Sequence, residues 1–195
     1  MWQRRPGTGE RVKKKKPRKR RLSGNGGGDT RERARRLLNE GAELLRQQRP
    51  VEATEQLDRA WRLDPTLIEV AINLGGAYIM QGRHADAVRV LEEASRVEPG
   101  NVMIWINLAA AYLGPLEISD EAAQLKAIAA FERALALDPE APSVNYNLGL
   151  IYRHRGETEK AAAHFWLALD VDPSDNDARI RLRQLGYEDR QPPAG

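Results

Sequence analysis

The stretch IEVAINLGGAYIMQGRHADAVRVLEEASRVEP, Ile68 to Pro99, sets the pattern for the chain, because PSVNYNLGLIYRHRGETEKAAAHFWLALDVDP, Pro142 to Pro173, repeats it. Both carry Leu-Gly followed three residues later by Tyr, then alanines and a large apolar residue at helical spacing, and both end on an acid before proline. Working outward, the acid–proline pair recurs as Asp64-Pro65, Glu98-Pro99, Asp138-Pro139 and Asp172-Pro173, with proline intervals of 34, 40 and 34 residues. A period in this range marks a stacked repeat architecture. Counting back from each proline, alanine stands five residues earlier at Ala60, Ala94, Ala134 and Ala168. Leu57, Leu91, Phe131 and Phe165 stand eight earlier, and Ala53, Ala87, Ala127 and Ala161 twelve earlier. The upstream halves share Leu44, Tyr78, Tyr112 and Tyr152, with small residues at Gly41, Gly75, Ala109 and Gly149.

Each unit therefore reads as two amphipathic helices joined by a turn, the second stopped by its proline. The small residues let the two helix axes approach closely, with Leu, Phe or Tyr filling the space beside them. One such hairpin cannot bury its apolar stripe alone, so the four stack. The expected fold is all-α: a right-handed superhelical solenoid of four hairpins over residues 34–67, 68–101, 102–141 and 142–175. The segment Asp175 to Gly186, rich in arginine at Arg179, Arg181 and Arg183, supplies the polar capping helix such an array needs. Residues 188–195 read as a flexible terminus.

This pattern resembles the tetratricopeptide repeat family, whose signature places a large residue, Leu-Gly, Tyr, Ala, Phe, Ala and Pro at set offsets over 34 residues. The second and fourth units match it best; the first has Glu40 before Gly41 and Leu44 for Tyr, and the third has Ala109 for Gly. The resemblance implies that the first helix of each hairpin lines a concave surface that binds a protein or peptide. On that surface each unit carries asparagine, at Asn39, Asn73, Asn107 and Asn147. A carboxamide is both donor and acceptor, so such a ladder can grip the main chain of an extended peptide. It is similar to the asparagine ladders of armadillo-repeat importins. Equally, these asparagines serve hydrogen bonding between helices, and the sequence leaves the two roles open.

Around the ladder the groove is apolar, with Leu38, Leu45, Ile72, Ile79, Met80, Met103, Ile106, Leu113, Tyr146 and Leu150. An apolar stripe of that size marks an interaction site, less whatever is consumed in packing between neighbouring helices. The chaperone-binding members of the family hold a C-terminal carboxylate with Lys and Arg. Here the corresponding positions are Leu38, Ala42, Asn73, Met103 and Asn107, which disfavours that clamp.

The third unit carries an insertion, PLEISDEAAQ over residues 115–124. Pro115 ends its first helix, and Ser119 or Asp120 is placed to cap a longer second helix. Insertions in surface loops cost little, and a tolerated loop is the simple reading. The sharper one is a partner contact at Leu116 and Ile118.

Net charge is +3, unevenly distributed. Residues 1–28 hold eleven basic residues against Glu10, whereas the remainder holds 20 basic and 27 acidic. With few apolar groups and the run GNGGG at 24–28, residues 1–29 read as a disordered basic tail with a glycine hinge, the folded domain starting at Thr30. Lys13, Lys14, Lys15, Lys16, Arg18, Lys19, Arg20 and Arg21 are its polyanion-binding candidates, for nucleic acid or anionic membrane.

Cysteine is absent, which excludes disulfides and thiol chemistry. The most apolar run, Val102 to Leu113, is too short to span a bilayer. With no apolar segment behind the charged N-terminus, the protein is expected in the cytoplasm, or in the nucleus if the source is eukaryotic. No nucleophile motif, phosphate loop or metal spacing stands out. His84, His154 and His164 read as surface or interfacial histidines, and acids such as Glu92 and Glu93 as solvated helix faces. The expectation is a non-catalytic adaptor without cofactor that holds an extended or helical peptide in its concave groove. The alternative is a nucleic-acid- or ribosome-associated protein anchored by its tail; a weaker third is the regulatory subunit of another enzyme.

Overall fold

The computed structural model describes residues 26–187, and these are all-helical. Four hairpins follow one another: α1 (Gly26–Arg46) with α2 (Pro50–Leu63), α3 (Ile68–Met80) with α4 (His84–Val97), α5 (Val102–Leu113) with α6 (Glu121–Leu137), and α7 (Val144–His154) with α8 (Thr158–Val171). A last helix, α9 (Asn176–Gln184), packs on α8. α1 starts four residues ahead of the Thr30 boundary and takes in Gly26 to Gly28, part of the run read as a hinge. Asp29 lies in its first turn, where the positive end of the helix dipole favours an acid. The remaining tail residues, including Lys13 to Arg21, and residues 188–195 lie outside the described part of the chain.

The turns explain the repeated punctuation. Within hairpins one, two and four the first helix ends on a residue of positive φ, Gln48 at 58°, Gly82 at 70° and Gly156 at 76°. The next N–H folds back to a carbonyl one turn earlier: Arg49 to Leu44, Arg83 to Tyr78 and Glu157 to Tyr152, at 2.8–2.9 Å. Such a left-handed cap favours glycine, and Gln48 departs from that preference. Between hairpins, Asp64 Oδ1 accepts from the main-chain N–H of Thr66, Asp138 Oδ1 from that of Glu140 and Asp172 Oδ1 from that of Ser174. Asp, Pro and a polar residue two places after the Asp thus build an Asx turn that stops each of these helices. The Thr66 and Ser174 bonds hold the Asp64 and Asp172 carboxyls below the usual carboxylate range. Asn101, Asp120 and Asp175 cap α5, α6 and α9 by accepting from Met103, Ala123 and Ala178. Of the two cap candidates in the insertion, Asp120 is the one used.

The core sits between paired helices and between successive hairpins. Ala53, Leu57, Ala60, Leu74, Leu91, Phe131, Leu148 and Phe165 are all buried. A Cβ built on Gly75 would stand 2.7 Å from Leu91 Cγ, and one on Gly149 2.6 Å from the Phe165 ring, so these glycines set the helix approach. Tyrosines tie neighbouring hairpins together. Tyr78 donates to Asp58 at 3.1 Å and Tyr112 to Glu92 at 2.7 Å, each from a first helix to the preceding second helix. Glu92 is therefore a structural acceptor rather than part of a solvated face. Arg83, Lys126 and Lys160 lie 4.4, 5.6 and 5.2 Å from the ring centroids of Tyr78, Tyr112 and Tyr152, on the side supplied by each tyrosine's own hairpin.

Candidate peptide-binding groove

α1, α3, α5 and α7 are the first helices of successive hairpins, and residues four apart share a face on each. Leu38, Ile72, Ile106 and Tyr146 occupy one position in the repeat, and the four asparagines the next. A turn later come Ala42, Gly76, Ala110 and Leu150, a floor of small residues broken only at its end. Nothing lies within 4 Å of where a Cβ on Gly76 would stand, so the floor there is open.

The apolar set divides into two kinds. Leu38, Leu45, Ile72 and Ile79 pack partly into the core of the first two hairpins, Ile106 and Leu113 into that of the third, and Tyr146 and Leu150 into that of the fourth. Much of their area is spent on holding the array together. Met80 and Met103 are different, at 47% and 45% exposure. Unbranched, polarisable methionine suits a surface that must adapt to a ligand.

The asparagines are tied at their donor ends. Asn73 Nδ2 donates to the Glu69 carbonyl at 2.8 Å and Asn147 Nδ2 to that of Ser143 at 2.9 Å, both within their own helices. Asn107 Nδ2 reaches from α5 to the Ile72 carbonyl of α3 at 3.3 Å. That bond is the helix-to-helix role left open by the sequence. What these three offer a ligand is therefore Oδ1 as an acceptor and the second N–H of each Nδ2. Asn39 is exposed on α1.

The first hairpin adds a charged end to the groove that the repeat pattern did not single out. Arg31, Arg35, Leu38 and Asn39 face Thr66, Leu67 and Glu69 at the head of α3, with Glu98 beside them. Arg31 pairs with Asp64 at 3.7 Å. The signal was present in the sequence as arginines four residues apart, which share a helix face.

His84 and His164 take structural places, whereas His154 is exposed at the end of α7. His84 opens α4 with its ring 3.7 Å from where a Cβ on Gly114 would stand. His164 is stacked on Tyr152, centroids 5.3 Å apart, with Nδ1 3.0 Å from the Oδ1 of buried Asn145. Burial pushes the His164 imidazole below its ordinary range. Among the described residues no three acids or histidines gather as metal ligands, and no helix is long and apolar enough to cross a membrane.

Tetratricopeptide repeat family models match residues 44–111 and 126–181. No curated protein sequence matches the chain. Among solved structures, residues 41 to the end of MamA from Desulfovibrio magneticus superpose with a TM-score of 0.66 at 22% identity, over 80% of this chain and 87% of that one. A tetratricopeptide repeat protein from Parabacteroides merdae gives 0.64 at 24% identity, over 79% and 59%. The first tetratricopeptide domain of human RPAP3 gives 0.59 at 19%, over 65% and 95%. With four in-register hairpins, closing glycines and two matching family models, the chain belongs to the tetratricopeptide repeat family, whose arrays are scaffolds for protein–protein interaction.

Proposed function

We propose that the concave face of α1, α3, α5 and α7 holds a peptide segment of a protein partner, anchored by apolar side chains. The observation that carries this is the open floor at Gly76 flanked by half-exposed Met80 and Met103. Apolar side chains of the ligand bury against Ile72, Met80, Met103 and Ile106, while Oδ1 of Asn73, Asn107 and Asn147 accepts its main-chain N–H groups. One N–H of each Nδ2 is already engaged, so each asparagine adds only a bond or two to the ligand, each contributing about 0.5–1.5 kcal/mol. The chain then acts as a non-catalytic adaptor without cofactor.

The test is a panel of peptides selected from a random library on the full chain. Gly76→Leu fills the floor and should abolish their binding while leaving helicity intact. Asn73→Ala with Asn107→Ala should weaken binding severalfold, with some stability lost through the Asn107 bond. Unchanged affinity in the Gly76→Leu variant would move the site elsewhere. The charge contrast between tail and body supports a second contact, weak and sequence-independent, between the tail and nucleic acid.

A further inference from the structure

Two places outside the groove have surface features that the groove does not use. One is the insertion of the third hairpin. Its turn, Leu116–Ile118, is firmly built. Leu116 packs into the core of the third hairpin, so it is not the exposed contact expected of it. Buried Gln124 donates to the Ser119 carbonyl at 2.9 Å, Asp120 caps α6, and Glu121 reaches Arg155 of the next hairpin at 3.5 Å. This scaffolding holds Ile118 out in water at 82% exposure, beyond any other exposed large apolar residue described. Exposed Glu117 precedes it directly.

The other place is the far end of the array. Counted from the prolines, α9 takes the register of a fifth first helix: Ala178 and Leu182 stand where α7 has Val144 and Leu148. Where α7 has Gly149, however, α9 has Arg183, and among the described residues no second helix closes over it. A cleft of about 90 Å³ remains between α8 and α9, lined by Trp166, Leu169, Leu182, Tyr187, Arg179 and Arg183. Trp166 occupies the position that Asp58, Glu92 and Glu132 hold in the other hairpins, and its buried indole N–H has no acceptor among the described residues. The Arg179 guanidinium donates to Asn176 Oδ1 and the Pro173 carbonyl, and Arg183 has no ion pair among the described residues.

We propose that these are the two halves of one contact between copies of this chain. Ile118 of one copy enters the cleft of the next, with Glu117 set against Arg183 and Arg179. The match rests on charge and shape together. The knob is an aliphatic side chain next to Glu117; the cleft is apolar and rimmed by arginines. Because knob and cleft are different surfaces, the contact is heterologous. Each copy keeps one of each free, and association continues into a ring or an open chain.

Sedimentation velocity of the full chain, over rising concentration at physiological salt, tests this. Mass should grow past the monomer, and raising salt should weaken the growth. Ile118→Ser and Arg183→Glu, both on exposed side chains, should each weaken association at least tenfold with helicity unchanged. A mixture of the two variants should stop at the dimer, since only one intact knob and one intact cleft remain per pair. Glu117→Arg combined with Arg183→Glu in one chain should restore growth. A parent that stays monomeric overturns the proposal, as does association indifferent to either variant. Association that appears only when residues 188–195 are deleted also overturns it, by placing the chain's own C-terminus in the cleft.

Discussion

Gly75 and Gly76 are consecutive in α3, yet adding one methyl group to each should have opposite effects. Both gain the helix preference of alanine over glycine, about 0.5–1 kcal/mol. At Gly76 nothing opposes the gain, because no atom lies within 4 Å of the new Cβ. At Gly75 the new Cβ meets Leu91 Cδ1 and Cγ at 2.7 Å and Cδ2 at 2.8 Å, whereas carbon pairs settle near 3.5–4.0 Å. Leu91 is fully buried and cannot swing away, so α4 must move outward. Overpacking of this kind costs about 1–3 kcal/mol, which outweighs the helix gain. The expected outcome is a net loss of about 1–2 kcal/mol for Gly75→Ala and a gain of about 0.5–1 kcal/mol for Gly76→Ala. Urea denaturation followed by circular dichroism reads both as shifts of the midpoint, in opposite directions. The third hairpin sharpens the comparison, since Ala109 already stands at the Gly75 position. Should Gly75→Ala prove as stable as Gly76→Ala, the helices approach more loosely than the structure has them and the reason given for the small residues fails.

Tyr112→Phe removes the bond to Glu92 and should cost about 1–2 kcal/mol. Burial and the neighbouring Glu92 push the Tyr112 phenol up to about 12, so its contribution is complete below pH 10 and falls away as pH rises from 10 towards 12; the Phe variant should lack this alkaline loss in a denaturation series. His164 behaves in the opposite sense: its pKa is lowered by burial, so the stability it carries is present above its ordinary range near pH 6.5 and declines as pH falls through the folded value. His164→Gln should flatten the acid side of the stability profile. For the tail, binding to unrelated oligonucleotides should show a steep negative slope of log affinity against log salt in the full chain, and residues 29–195 should hardly bind; equal binding by both would place nucleic-acid recognition on the hairpins.

The hairpins were legible in the sequence because their causes are local and periodic. Proline fixes where a helix ends, and an alanine or glycine every 34 residues or so reports a close approach that no larger residue permits. The joints between hairpins were harder to read. Glu92 looks like any surface acid until Tyr112, twenty residues on, is brought to it by stacking, and nothing local distinguishes it from Glu93. The asparagine ladder was found by its period, but the direction of each carboxamide depends on which carbonyl is nearest. Asn107 finds one on the neighbouring helix, whereas Asn73 and Asn147 turn to their own. The insertion likewise named its apolar residues without saying which points inward; the turn packs half-buried Leu116 against the core and expels Ile118.

The first core takes in Ile104, Leu108 and Ala111 of α5 and the second takes in Val144, Leu148 and Ile151 of α7, yet α6 and α7 pack less closely than α2 with α3 or α4 with α5. The array is thus a linear chain of cooperative units with unequal couplings. Under mild denaturant the joint between α6 and α7 should part first, releasing α7 to α9 while α1 to α6 remain packed. Amide hydrogens of Phe165 and Leu182 should then exchange well ahead of those of Leu74 and Leu91, although all four side chains are equally out of reach of water in the folded chain.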